Sequence, residues 1–436
     1  MTRGTSAVPP VPDAPRPPGF LASGGLIAGG LSLLGLTIVA VLTLGLFTGR
    51  LPLLTGQGSG GSPVRGGGSQ AGTGGDPGGD PNRTPAPSNV VIVDPRSDVP
   101  GSIVFAKQGN IWVQSGSDAT QVTDTGRDSM ASWSPDGTWI YFIETVSGAG
   151  LFPSQGAPRH YTLTYPILTR VHPDGSGREK ITSGLYSPGG GALKWFYWLR
   201  QPVLSSDGHT IALLSDGPDP TKSDVVVQFY DMATRKLTRP PIPEEPPLGH
   251  QDVTWRPDGK QLLYVHNGRV GSRGAPAIYS YDPATKKTRA LTGPGYEGPS
   301  FSPDGRWVAA TRTGTFGTDV VILNAKTGAQ MLRVTDDGRS WAPTWSPKGD
   351  SIAYLNISYQ TVDLRMVELL GRGPNFTLGE QLNLTEYSGL DGASRPGWFI
   401  PADQLPPPTP SPAATAGSSG RPAASSGASV GASASP

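Results

Sequence analysis

Short apolar runs, broken at regular intervals by turns, organise the middle of the chain. Runs of strand length follow one another: TWIYFIE after Gly137, TIALLSD after Gly208, QLLYVHN after Gly259, WVAATRT after Gly305 and SIAYLNI after Gly349. Alternating or continuous apolar character over this length predicts β-strands buried on one or both faces. A different pattern comes first. From Phe20 to Phe47 the run FLASGGLIAGGLSLLGLTIVAVLTLGLF holds 28 residues and no charge, enough for a helix to cross a bilayer of about 30 Å.

One phrase precedes each of the five strand runs. ASWSPDG ends at Gly137, TWRPDG at Gly259, SFSPDG at Gly305, TWSPKG at Gly349, and a worn copy, VLSSDG, at Gly208. An aromatic or aliphatic residue (Trp133, Leu204, Trp255, Phe301, Trp345) ends a strand. Pro then sets φ near about −65°, Asp favours the turn and Gly takes the positive-φ position. The phrase therefore predicts a hairpin corner, with its Asp serving the turn rather than chemistry.

A second echo closes each unit: Val122-Thr123, Ile181-Thr182, Leu237-Thr238, Leu291-Thr292, Val334-Thr335 and Leu384-Thr385, spaced 43 to 59 residues apart. A period of this size with about four strands per unit is the pattern of a β-propeller. There are six endings and five phrases, so one inner strand is missing. The first unit, GSIVFAKQGNIWVQSGSDATQVT, begins at its second strand, and ASRPGWFIP near the other end places Trp398 where the phrase has its aromatic. The expected fold is all-β: a six-bladed propeller whose first blade is completed by the C-terminal strand, leaving no loose edge between blades.

WSPDG followed by a strand, then IYSYD and a closing LT, resembles the WD-like repeats of TolB-type proteins and of the propeller half of prolyl oligopeptidases, over roughly 300 residues. The resemblance implies fold and leaves function open, because unrelated proteins use the same repeat. TolB-type proteins take a partner peptide at the channel mouth. Here no separate N-terminal α/β domain precedes the propeller.

Composition divides the chain further. Gly 61 and Pro 46 crowd both ends, where too little apolar surface exists to fold. The expected order is a cytoplasmic tail at 1–19, a transmembrane helix at 20–48, a Gly/Pro-rich linker at 49–100, the propeller at 101–401 and a Pro/Ala/Ser-rich tail at 402–436. A long signal peptide is the alternative for the apolar run, although no small-x-small cleavage site follows before Arg50. The anchored reading puts the protein in the cell membrane as a single-pass chain with its propeller extracytoplasmic. A net charge of +1 draws the protein to neither nucleic acid nor acidic lipid. The absence of cysteine excludes disulfides, thiolate metal sites and a Cys nucleophile.

Catalytic patterns are sparse. The only GxSxG, at Gly427 to Gly431, lies in the tail without the strand and helix of a nucleophile elbow. His160, His172, His209, His250 and His266 do not fall at zinc spacing. No catalytic set, cofactor or metal is therefore expected. Geometry singles out a different group. In a propeller the residues just before each inner strand stand at one mouth of the channel. They are Arg127 and Asp128; Trp198 and Arg200; His250, Gln251 and Asp252; Tyr296 and Glu297; Trp341; Asp391 and Arg395. Aromatics mixed with both charge signs suit a peptide or a sugar. The leading expectation is a non-catalytic binding or scaffold module for a cell-envelope protein, peptide or glycan. One alternative is a glycan hydrolase or lyase using Asp128, Asp252 and Glu297; another is a ligand-sensing membrane protein. A second candidate surface joins an insertion at Val146 to Tyr165 with the aromatic run Trp195 to Trp198, either as a lid or as packing between blades.

Overall fold

The computed structural model describes residues 94–152, 159–190, 193–243, 249–267, 276–371 and 373–405. The expected membrane span at 20–48 and most of the linker and tail lie outside the described residues. Among the described residues no helix is long and apolar enough to cross a membrane.

The repeated phrase is a hairpin corner, and its side chains explain its wording. In blade 2 the Ser134 hydroxyl donates to Asp136 Oδ1 (2.5 Å), which also accepts the Thr138 N–H (3.1 Å), while Ser134 Oγ accepts the Trp139 N–H (2.9 Å). The same set recurs with Ser205 and Asp207, and with Ser302 and Asp304. The closing glycines lie at φ from +66° to +78°, a region costly for any residue with a Cβ. Hydrogen bonds from Ser205 and the His209 N–H hold the Asp207 carboxyl below its ordinary range. These aspartates are turn residues, as their sequence context implies.

Six four-stranded antiparallel sheets follow. Blade 2 holds Asp128–Trp133, Ile140–Phe152, Arg159–Val171 and Glu179–Ser183; blade 3 holds Arg200–Leu204, Thr210–Ser215, Val226–Asp231 and Lys236–Thr238. Blade 4 holds His250–Trp255, Leu262–His266, Ala277–Asp282 and Lys287–Ala290; blade 5 holds Tyr296–Phe301, Trp307–Gly314, Gly317–Asn324 and Gln330–Arg333. Blade 6 holds Ser340–Trp345, Ser351–Ser358, Thr361–Leu370 and Thr377–Asn383. Blade 1 takes its inner strand, Gly397–Phe399, from the far end of the chain and adds Ser102–Lys107, Asn110–Ser115 and Asp118–Gln121. Trp398 pairs with Ile103, as the count of phrases and endings implies.

The closing Thr of a unit also has a physical reason. Thr123, Thr292, Thr335 and Thr385 each offer Oγ1 to a backbone N–H of the same blade, at 2.9 to 3.0 Å. The apolar residue before each of these is buried.

Six apolar clusters fill the six gaps between neighbouring blades. The gap between blades 6 and 1 is filled by Trp398 and Ile400 together with Phe105, Leu355 and Leu364. Hydrogen bonds tie the same segment down on either side: the Trp398 indole donates to Pro100 O (2.9 Å), and the Trp133 indole donates to Gly397 O (3.1 Å). Trp398→Ala is expected to lower unfolding stability by about 3 kcal/mol, the usual cost of emptying a buried aromatic site. Trp398→Phe is expected to lose only about 1 kcal/mol. Denaturant unfolding of the two variants checks this; equal small losses would show that the ring does not depend on its closing strand.

Candidate functional site

The inner strands begin on one face, here the upper face. Turns between second and third strands, and the links from one blade to the next, share that face. The proline–aspartate corners lie on the other.

Near its start, each inner strand of blades 2 to 6 has a register shift. Within it sits a residue at positive φ: Met130 (56°), Gln201 (48°), Asp252 (53°), Gly298 (60°) and Ala342 (52°). A bulge turns a backbone N–H away from the ladder, and an unpaired N–H away from water is costly. In four cases the preceding blade supplies the acceptor. Met130 N–H goes to Ser394 Oγ (2.9 Å), Asp252 N–H to Gln201 Oε1 (2.8 Å), Gly298 N–H to Asp252 Oδ2 (2.9 Å) and Ala342 N–H to Thr311 Oγ1 (3.0 Å). Gln201 Nε2 returns a bond to Asp252 Oδ1 (2.8 Å).

Arg395 crosses the lumen. Its guanidinium donates to Val253 O of blade 4 (3.4 Å) and Pro299 O of blade 5 (2.5 Å) from the segment that leads into blade 1. Burial pushes it down from the ordinary arginine range, with Asp252 pulling the other way. Its Nε is buried without a partner.

The expected rim residues divide in two. Asp128 is 1% exposed, and both of its oxygens accept from Arg178 (3.2 and 3.0 Å). Arg178 also pairs with Glu144 (3.0 Å), which Arg127 approaches at 3.5 Å. Asp128 is thus an ion-pair residue inside blade 2 rather than an open mouth carboxylate. His250 is buried as well, its Nδ1 accepting the Val227 N–H (3.2 Å). Burial first, and His266 second, push its pKa down to about 3, so the ring is neutral. Asp391 accepts from Ser394 and from the Ala393 N–H, shaping the closing loop.

Arg127, Trp198 and Arg200 are exposed, and Tyr296, Glu297 and Trp341 are partly so. Trp198 is 41% exposed, with its N–H on Asp216 (2.6 Å). Arg200 lies against the Trp198 ring at 5.9 Å. It is exposed, yet crowding by protein pushes its guanidinium down against the pull of Asp252. Tyr296 stacks under Arg312 at 5.9 Å, and the Trp341 indole donates to Gly392 O (2.9 Å). Burial, then the Asp252 charge, push Glu297 up to about 7, against a bond from Gln251 (3.3 Å). Among the described residues no three His, Asp or Glu side chains converge as a metal cluster would. This mouth offers a guanidinium, a carboxyl whose pKa is pushed well above its ordinary range, an amide and three aromatic rings.

Sequence reasoning did not find Gln201, Arg178 or the bulge. A signal for the bulge exists only in blade 5, where the residue three places before the inner-strand aromatic is Gly298. The aromatic run does not behave as one strand: only Trp195–Phe196 pairs, with Leu185–Tyr186. Tyr197 turns inward and donates to Ser183 O (2.7 Å).

No family model matches the chain. It is 34% identical over 115 residues to Uncharacterized protein Atu1656 of Agrobacterium fabrum (strain C58), covering 25% of this chain and 36% of that one. The chain thus spans about a third of the length of this curated relative. TolB from Acinetobacter baumannii superposes with a TM-score of 0.48 at 19% identity, covering 68% of this chain and 66% of that chain. The periplasmic gluconolactonase of Pseudomonas aeruginosa gives 0.43 at 14%, covering 70% of this chain and all (100%) of that one. These are likenesses of fold.

Glu297 generates a pH prediction. Its folded pKa, about 7, lies above the ordinary 4.5, so between these values the folded state holds a proton that the unfolded chain has lost. Stability therefore falls as pH rises from about 4.5 to about 7. Glu297→Gln is expected to remove most of that slope in unfolding curves; an unchanged slope would mean that Glu297 is ionised in the native mouth.

Proposed function

We propose that this protein is a non-catalytic binding module of the cell envelope, held to the membrane by residues 20–48, which engages a polypeptide partner across its upper face. The observation that carries this reading is where exposed aromatic surface falls. Phe316 (93% exposed), Tyr359 (79%), Tyr387 (66%) and Trp198 (41%) all lie on upper-face turns or links. Tyr359 and Tyr387 stack at 5.3 Å. Exposed aromatics gathered on one face favour a protein interface, where they make efficient anchors. Deeper in the lumen Asp252 is held by Gln201 and the Gly298 N–H and Arg395 by the Val253 and Pro299 carbonyls, which favours the mouth and its rim for recognition.

A second reading has one specific support. Glu297 is pushed up to about 7 beside Asp252, and carboxyls held apart in pKa serve acid and base roles in glycoside cleavage. Against it, Asp252 already accepts from Gln201 and from Gly298 N–H.

Photo-crosslinking in intact cells from a reactive residue placed at Phe316 identifies the partner. Trp198→Ala and Arg200→Ala are each expected to weaken the purified complex by about tenfold or more, as anchor residues do. If every crosslinked partner binds both variants unchanged, the mouth is not the site. Release of reducing ends from envelope glycans that disappears in Glu297→Gln would establish the catalytic reading instead.

A further inference from the structure

Blade 2 is unlike the others. Its second and third strands run 13 residues each and pair without interruption from Ile140↔Val171 to Phe152↔Arg159. The outer half of this ribbon, beyond Glu144↔Ile167, extends past the other strands of the blade, because the fourth strand pairs only with Ile167 to Arg170.

The two edges of the ribbon are treated differently. On the Ile140–Phe152 side, Leu151 and Lys194 exchange backbone hydrogen bonds (3.3 and 3.0 Å). Tyr161 also donates its hydroxyl to Lys194 O (2.9 Å) and packs on Trp195 at 5.9 Å. On the Arg159–Val171 side, Gly184 N–H bonds Pro166 O (2.8 Å), and Thr145, opposite Pro166, sends its N–H to Arg127 O instead (2.8 Å). The outward-pointing residues of this strand are therefore Pro166 and, by strict alternation, Thr164, Thr162 and His160. Pro166 has no N–H to leave unpaired. The other three turn N–H and C=O outward, where among the described residues no further strand pairs with them.

Free strand edges recruit other strands unless they are guarded, and charged side chains are the usual guard. The outermost strand of every blade carries one: Asp118, Glu179, Lys236, Lys287, Arg333 and Glu380. The ribbon strand has Arg159 at its start, and its edge from Tyr161 to Tyr165 carries no charge. A shallow, wide-open surface lies along the ribbon at Ser147, Gly148, Ala149, His160, Tyr161 and Thr162, with no large side chain on the opposing strand. The ribbon itself, from Thr145 to Tyr165, contains Arg159 and His160 and no Asp or Glu, and Lys194 pairs with it at Leu151. The carboxylates that touch the Gly184–Gln201 segment, Asp216 and Asp219, accept from the Trp198 N–H and the Tyr186 hydroxyl. His160 lies opposite Leu151, which pairs with Lys194, so the His160 imidazole and the Lys194 ammonium share one cross-strand row.

We propose that the outer edge of this ribbon, at His160, Thr162 and Thr164, receives an extended acidic segment of a partner polypeptide as an added strand. Backbone bonds to the edge supply affinity, and the Lys194 ammonium in that row favours acidic side chains at alternate positions. This site is separate from the channel mouth and goes beyond the function proposed above.

The test uses the full chain and synthetic peptides of about ten residues, a length suited to strand addition. An alternating Glu–Val peptide is expected to bind saturably, followed by fluorescence polarisation. An alternating Lys–Val peptide, and the Glu–Val peptide N-methylated on the amides that would face the edge, are expected not to bind. Thr162→Pro removes an outward N–H without touching the bonds inside the ribbon and is expected to weaken binding at least about tenfold. Thr162→Val, which keeps the N–H, is expected to bind as the parent does. Near-UV circular dichroism checks that both variants stay folded, and the N-methylated peptide tests the same bond on the unaltered protein. Equal binding of the N-methylated peptide overturns the proposal, as does parental binding by a folded Thr162→Pro protein. Binding of phosphatidylglycerol vesicles or an anionic polysaccharide in place of the Glu–Val peptide would also overturn it. Failure here leaves the mouth reading intact, because that is measured at Trp198 and Arg200.

Discussion

A four-stranded sheet that is apolar on both faces is stable only with a neighbour against each face, and the structure of this protein depends on that constraint. Second strands such as Trp307–Gly314 and Ser351–Ser358 bury five or six consecutive residues. Such strands have no solvated side, so an open row of blades would leave two apolar faces in water. Bending the row into a circle removes both ends at once. The chain cannot close the circle by packing alone, because the first and last blades are far apart in sequence. It shares one sheet between the two termini instead, and Trp398 fills the last gap from the other end of the chain.

Closure has a second consequence in the lumen. Six inner strands converge there, and a bulge in five of them turns backbone out of register. A positive φ at a residue with a Cβ costs of order 1 kcal/mol or more. In four of the five it is tolerated because the liberated N–H finds an acceptor on the blade before it, so those bulges fasten one blade to the next. Arg395 adds a tie across the ring. The lumen is polar, but largely as a consequence of assembly. Burial of Asp128 against Arg178 and of neutral His250 between blades 3 and 4 makes the same point. A charged or polar residue near a channel is as readily a fastening as a contact for a ligand, and the hydrogen-bond partners decide which.

Where the sequence could be read and where it could not follows from the same physics. Local rules wrote the hairpin corners, because a Pro, an Asp and a Gly at positive φ must be adjacent to make one. The sixth blade was legible because counting phrases against endings left Trp398 without a unit. The side-chain relay round the lumen was not legible. Gln201 and Asp252 are brought together by ring geometry across 51 residues of sequence, and nothing local to either marks the contact. Met130 and Ala342 adopt positive φ with no residue preference to announce it, whereas Gly298, and more weakly Asp252, are residue types that favour it. The insertion at Val146 to Tyr165 was visible as excess length, but its open edge depends on Gly184 meeting Pro166, a contact made only in the folded sheet.

The ribbon and the mouth are joined by more than proximity in sequence. Tyr161 packs on Trp195, Trp195 on Phe196 (5.3 Å) and Phe196 edge-on to Trp198 (5.1 Å), whose ring lies beside Arg200. Each step is a contact between flat, stiff groups, worth about 0.5–1.5 kcal/mol beyond buried area. A chain of such contacts holds the outer part of the ribbon at a fixed distance from the mouth, where a flexible loop would let it wander. Rigid spacing matters for recognition. Two weak contacts on a rigid frame act as one strong contact, because the second forms at high effective concentration once the first is made. A partner long enough to reach both would thus gain affinity from geometry the fold already holds, without new contacts at either place. That is a reason for a propeller to keep an aromatic excursion of this length between two blades when the ring itself closes without it.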